Sequence, residues 1–212
     1  MIKIIMKNGW RMWFSQKIHD NHSLFNGQVY VEPTNDGEDY YDDITLFLNN
    51  YEGGYIRYNG KSHLTIVLNG ENKIIPYKGK ANSIAIIANG DLTIMGTGSL
   101  VIDGYSTGVK LDEGVFTIRD TNVRMDNISM NGFDVYYFNL INSKLYIKSS
   151  CYAISIRYKA FISKADFELI SGGYDATISG NGVDDGFEFD GWWFVDEDGN
   201  FVEKITSESI VE

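Results

Sequence analysis

Apolar and polar residues alternate in short bursts along this chain, and the bursts recur. The clearest instance is Leu92-Thr93-Ile94-Met95-Gly96-Thr97-Gly98-Ser99-Leu100-Val101-Ile102-Asp103-Gly104: an apolar-polar-apolar triplet, a tight turn on Gly96 and Gly98, a second apolar run and a closing Asp-Gly. The same unit starts at Ile44, Leu64, Leu92, Phe116, Phe138 and Phe161, at spacings of 20, 28, 24, 22 and 23 residues. The long interval holds Pro76 and Lys78-Gly79-Lys80, which read as an inserted loop. A period in the twenties marks a solenoid, in which one coil cannot bury its own apolar face and must stack on its neighbours.

Within each unit the period is two, that of a strand. Leu92 and Ile94 flank Thr93, Phe116 and Ile118 flank Thr117, and Phe138 and Leu140 flank Asn139. After the turn comes a second short strand: Leu100 and Ile102, Val123 and Met125, Leu145 and Ile147. A third precedes the next unit: Ile56 and Tyr58, Ile84 and Ile86, Val109 and Leu111, Ile154 and Ile156. Three strands per coil with Gly, Asn and Asp at the corners predict an all-β, single-stranded, right-handed parallel β-helix of about six coils. Two places are ambiguous. Ile128 and Phe133 compete for the third strand of the fourth coil. In the last coil Ser163 stands where an aliphatic residue is expected, and Phe167 and Leu169 shift the phase by one.

The body of this β-helix spans residues 44–182. Residues 1–43 read as a capping segment: Trp10, Met12 and Phe14 alternate with polar residues, as do Val29 and Val31, giving two strands to cover the first coil. Only the Phe14-to-Leu24 region offers a short amphipathic helix. Residues 183–212 change character, and Trp192-Trp193-Phe194-Val195 and Phe201-Val202 around Asp198-Gly199 predict a C-terminal hairpin or cap.

Composition fits this layout: 212 residues, 43% hydrophobic, 22 Gly against 2 Pro. The net charge of −11 resides at the ends, with six acids in 32–43 and ten in 184–212, while 44–183 carries 12 acids and 13 bases. A near-neutral body without a basic stripe argues against nucleic acid or an anionic membrane as partner. Acidic ends protect solenoid termini from end-to-end association. No run approaches the roughly 18 apolar residues of a membrane helix. Met1-Ile2-Lys3-Ile4-Ile5-Met6-Lys7 is too short for a signal h-region, so the chain as given is not expected to direct its own export. Cys151 is the single cysteine and reads as a buried structural thiol.

Stacked coils turn outward positions into files. Thr65, Thr93, Thr117 and Asn139 form a polar ladder that finishes an exterior sheet. Arg124 falls beside Tyr146 in the second-strand file, with Tyr136, Tyr152 and Tyr158 nearby in sequence. Aromatic faces and hydrogen-bonding side chains on a flat sheet suit the stacking of sugar rings. Arg124, Tyr146, Tyr158 and Trp192 are therefore the candidate sugar contacts. The Asp42-Asp43 and Asp184-Asp185 doublets are the nearest approach to paired carboxylates, and Asp184 and Asp185 are the weak candidates for a cation. Asp36, Glu38 and Asp39 and the Asp196-Asp198-Asn200 series match no calcium loop and read as solvated turns. His19, His22 and His63 have no zinc spacing, and neither a nucleophile elbow nor a phosphate-binding loop occurs. The Asn-Thr-Asp, His-Gly and Arg-Ile-Lys signatures of galacturonases are absent. The expectation is a protein that is not an enzyme and holds no cofactor.

The run Leu64-Thr65-Ile66-Val67-Leu68-Asn69-Gly70-Glu71-Asn72-Lys73-Ile74, with Ile86-Ile87-Ala88-Asn89-Gly90-Asp91-Leu92-Thr93-Ile94-Met95-Gly96-Thr97-Gly98-Ser99-Leu100, resembles β-helical repeats of surface and secreted proteins of gut clostridia, akin to the calcium-containing, polygalacturonate-binding β-helix proteins of cellulolytic clostridia. It covers about residues 44–104 and consists of scaffold sequence. Gly186-Phe187-Glu188-Phe189-Asp190-Gly191-Trp192 with Asp196-Glu197-Asp198-Gly199-Asn200 resembles the second half of the Listeria-Bacteroides repeat of bacterial cell-surface proteins. These resemblances imply a non-catalytic surface or extracellular protein that binds polysaccharide or serves adhesion, with calcium as a possible companion. The alternatives are a structural or protein-interaction module of a surface assembly and, third, a minimal polysaccharide lyase.

Overall fold

The computed structural model describes residues 2–5, 11–14, 29–33, 43–76, 84–172, 178–179 and 204–207. The lead-in supplies β1 (Ile2–Ile5), β2 (Arg11–Phe14) and β3 (Val29–Pro33). The solenoid then runs in coils of three strands. The first is β4 (Ile44–Asn49), β5 (Glu52–Gly53) and β6 (Ile56–Tyr58), and the second is β7 (Leu64–Asn69), β8 (Glu71–Ile74) and β9 (Ile84–Ala88). The third is β10 (Leu92–Met95), β11 (Ser99–Asp103) and β12 (Thr107–Leu111). Next come β13 (Val115–Arg119), β14 (Asn122–Ile128), β15 (Phe133–Ile141), β16 (Lys144–Ser149), β17 (Ile154–Ser163), β18 (Asp166–Ser171) and β19 (Ile178–Ser179). Strands β15 and β17 each turn a corner, so that one strand serves the third face with its first half and the first face with its second. Five turns thus connect six stacked layers, a parallel β-solenoid close to the six coils expected.

The inward files are continuous. Ile44, Leu64, Leu92, Phe116, Phe138 and Ala160 stack on the first face, beside Leu46, Ile66, Ile94, Ile118, Leu140 and Ile162. The second face stacks Asn72, Leu100, Val123, Leu145 and Phe167 beside Ile74, Ile102, Met125, Ile147 and Leu169. On the third face Ile56, Ile86, Val109, Phe133 and Ile154 lie in one file. All these side chains are buried, and Phe116, Phe133 and Phe138 meet in the interior with centroids 4.9–5.7 Å apart. Their edge-on and tilted contacts add cohesion beyond area burial.

The register corrects two sequence readings and decides a third that the sequence leaves open. The last layer points Ala160 and Ile162 inward rather than Phe161 and Ser163. Ala160 keeps the 22-residue step on which Phe167 and Leu169 already lie, so the apparent phase shift vanishes. In β9 the inward pair is Ile86 and Ala88, not Ile84 and Ile86, with Ala88 beside the larger Tyr58. Phe133 takes the disputed third strand, whereas Ile128 ends β14 behind Asn127, whose φ of 52° bulges the chain. The Pro76-to-80 insertion falls largely outside the described residues.

One corner is a file of left-handed backbone: Asn50, Gly70, Asp120, Asn142 and Lys164 all have positive φ. Side chains tie it along the axis, as Asn142 Nδ2 donates to Asp120 Oδ1 at 2.8 Å. Asn and Asp tolerate this conformation because a short polar side chain can bond locally. The outward Thr file holds the expected register, and Asn139 Nδ2 donates to Thr117 Oγ1 at 3.2 Å.

The lead-in strands pair with the first coil. Strand β3 pairs antiparallel with β4, and β2 with β6, while β1 lies antiparallel on β2. Strand β20 (Lys204–Thr206) pairs antiparallel with β18 at the other end. The predicted hairpin lies outside the described residues. Among the described residues no α-helix occurs, and Phe14 of the short helix candidate is in β2. Cys151 is half-buried rather than buried, its amide bonded to Met130 O at 3.1 Å.

Candidate functional site

Because the second face turns its aliphatic residues inward, the alternate residues must point out. Register then places Ser99, Asn122, Lys144 and Asp166 in one outward row and Val101, Arg124, Tyr146 and Glu168 in the next. Strand spacing of about 4.8 Å spreads each four-residue row over roughly 14 Å along the axis. The Arg124–Tyr146 adjacency expected from the repeat is present: the guanidinium carbon sits 3.9 Å from the ring centroid. Arg124 also donates from Nε and Nη2 to the two oxygens of Asp126, at 2.5 and 3.0 Å. That bidentate bond fixes the guanidinium and raises its pKa. One face of Tyr146 is therefore occupied by a cation, and the surface offered to a ligand is the stacked pair.

Two adjoining grooves, about 340 and 390 Å³, share Asn122, Lys144 and Asp166. One continues onto the Asp120, Asn142 and Lys164 corner; the other crosses Val101, Arg124, Tyr146 and Glu168. Lys144 Nζ lies 3.6 Å from Asp166, whose other partner is the Ser207 hydroxyl at 3.1 Å. The sequence reading missed Lys144, Asp166, Glu168 and Asp126. The signal that could have found the first three is the same 22-residue step that found Tyr146.

Tyr158 is elsewhere. It lies on β17, in the other sheet, opposite a register shift where β17 carries one residue more than β15. The extra residue throws Tyr158, 50% exposed, against Tyr137, with rings 5.1 Å apart and 22° from parallel. Tyr136 joins them at 5.7 Å, and Arg157 both covers its ring at 4.5 Å and donates to its hydroxyl at 2.8 Å. Asp134 lies 4.0 Å from both Lys110 and Arg157. The structure therefore brings Arg124 and Tyr146 together and sets Tyr158 apart in a second aromatic cluster, whose Tyr137 the sequence reading overlooked.

Trp192, Asp184 and Asp185 lie outside the described residues, as do His19, His22 and Asp42. Among the described residues no group of three or more His, Cys, Asp or Glu is placed to hold a metal ion. His63 has a scaffold role: its Nε2 is 2.8 Å from Thr93 Oγ1, and its amide donates to Asp43 at 3.1 Å. No protein-family model matches the chain, and no curated protein or solved structure matches it either.

Proposed function

We propose that this β-solenoid is a non-catalytic polysaccharide-binding protein that takes its ligand along the groove of the second face. The observation that carries this reading is the open groove over four layers with the Arg124–Tyr146 stack at its centre. A rigid sheet presets side chains at a constant spacing, which suits a polymer whose units also repeat. Hydrolytic catalysis finds little support in the groove: its acids include Asp166, whose side chain is 66% exposed and paired with Lys144. General acids of hydrolases sit in desolvated pockets, unlike this open position. The sequence resemblance adds a surface or extracellular setting to the proposal, and calcium as a ligand-associated ion.

Affinity gel electrophoresis and a glycan array, each with and without calcium, test the reading. Tyr146→Ala and Arg124→Ala are expected to weaken binding at least about tenfold, the scale of losing one stacked or charge-assisted contact, while Tyr158→Ala leaves it intact. Binding lost only with Tyr158→Ala would move the site to the other cluster. No binding to any glycan would remove the proposal.

A second reading has its own observation. Met130, Tyr137 and Tyr158 are the exposed large hydrophobic residues among those described, and aromatic residues are enriched where proteins meet. On this reading the chain is an interaction module docking through the tyrosine corner. Sedimentation against concentration, repeated for Tyr137→Ser with Tyr158→Ser, checks self-association; an unchanged monomer in both would exclude it.

A further inference from the structure

We infer that the ligand of the second-face groove is a neutral, hydroxyl-rich polysaccharide and not a polyuronate; this rests on the polysaccharide-binding reading above. The two adjoining grooves are lined by three cations, Arg124, Lys144 and Lys164, and three carboxylates, Asp120, Asp166 and Glu168. Two of the cations already have carboxylate partners. Asp126 takes two guanidinium N–H bonds of Arg124, and Asp166 stands 3.6 Å from Lys144. A uronate carboxylate would have to compete with these internal partners, each already tethered at high effective concentration. It would also meet Glu168, which stands next to Tyr146 in the same outward row. Like charges at contact distance repel one another even in bulk water.

A sugar hydroxyl meets none of these costs. It donates and accepts at once, and the rows offer both functions: Asn122 and Lys144 can donate where Asp166 accepts, and the guanidinium N–H groups of Arg124 not used by Asp126 share a row with Glu168, two strands away. The apolar face of a pyranose ring can lie along the Arg124–Tyr146 stack and Val101. The arrangement is a set of hydrogen-bonding pairs around an apolar strip, with charge balanced before the ligand arrives.

The test is affinity electrophoresis of the full chain through gels containing a neutral panel (β-glucan, xylan, galactomannan) or polygalacturonate, at low and at high salt. The expected result is retardation by at least one neutral glycan, changed less than about twofold by salt because no ion pair is screened, and no retardation by polygalacturonate. Strong, salt-sensitive retardation by polygalacturonate alone would overturn the inference while leaving polysaccharide binding intact. No retardation by any of the glycans would take away the binding reading itself, a separate outcome. The variant Asp166→Asn with Glu168→Gln supplies an independent check, provided its circular dichroism matches the parent. It is expected to gain polygalacturonate affinity by about tenfold or more, because it neutralises two carboxylates and releases Lys144 from its partner. A folded variant with no gain would show that these carboxylates do not set the ligand charge.

Discussion

Asn72 occupies an inward position in a file otherwise made of Leu100, Val123, Leu145 and Phe167, and it is fully buried. Its side chain satisfies groups that the strands leave over. Oδ1 accepts the Tyr51 amide at 2.9 Å, and Nδ2 donates among the carbonyls of Asn69, Gly70 and Ser99 at 3.2–3.3 Å. Asn72→Ala strips the Tyr51 amide of its partner in a dry interior, which costs about 1–3 kcal/mol. The lost packing adds to this, so we expect a destabilisation of roughly 2–3 kcal/mol, or about 4–12 °C in Tm for a chain of this size. Urea unfolding followed by far-ultraviolet circular dichroism measures it, with an unchanged m-value confirming the same native fold. Asn72→Leu is the sharper control. It restores volume and matches the file, yet leaves the amide orphaned, so it should remain below the parent. A Leu variant as stable as the parent, or an Ala variant within about 0.5 kcal/mol of it, would refute the claim that polar satisfaction fixes this residue.

Lys164→Gly should stabilise the chain by up to about 1 kcal/mol, because Lys164 holds φ at 50° without a side-chain bond of the kind joining Asn142 to Asp120; Asp120→Gly, which breaks that bond, should show no such gain in parallel thermal melts. Burial pushes the hydroxyls of Tyr51, Tyr58 and Tyr105 above their ordinary value of 10.0. A raised folded pKa means the native state holds the proton longer, so their contribution is complete below pH 10 and falls as pH rises beyond it. Tyrosinate absorbance alongside urea melts should record this, and stability flat through strong alkali would contradict it. Removing residues 1–33 should uncover the edges of β4 and β6, and light scattering should then report concentration-dependent assembly; a strictly monomeric truncated chain would deny β1–β3 their covering role.

Most of the scaffold was legible because two simple periods coincide. Side chains alternate at two along a strand, and coils return at about 22 residues, so Leu64, Leu92 and Phe116 could be placed in one file before any contact was known. Arg124 and Tyr146 were paired by the same step. The failures occur where a local stretch satisfies both phases. Ile84-Ala85-Ile86-Ile87-Ala88 has apolar residues on either face, and only stacking against Ile56 and Tyr58 selects Ile86 and Ala88. The bulge that displaces Tyr158 is a one-residue difference between neighbouring coils, which no property of Arg157 or Tyr158 announces. The chain by itself determined that it must stack, which aliphatics it buries, and which residues share a surface row, since alternation and repeat length are local facts. The packed solenoid alone decided the phase of ambiguous strands, the occupation of one face of Tyr146 by Arg124, and the carboxylate partners of Arg124 and Lys144, because these depend on distances between residues that meet only after the coils have closed.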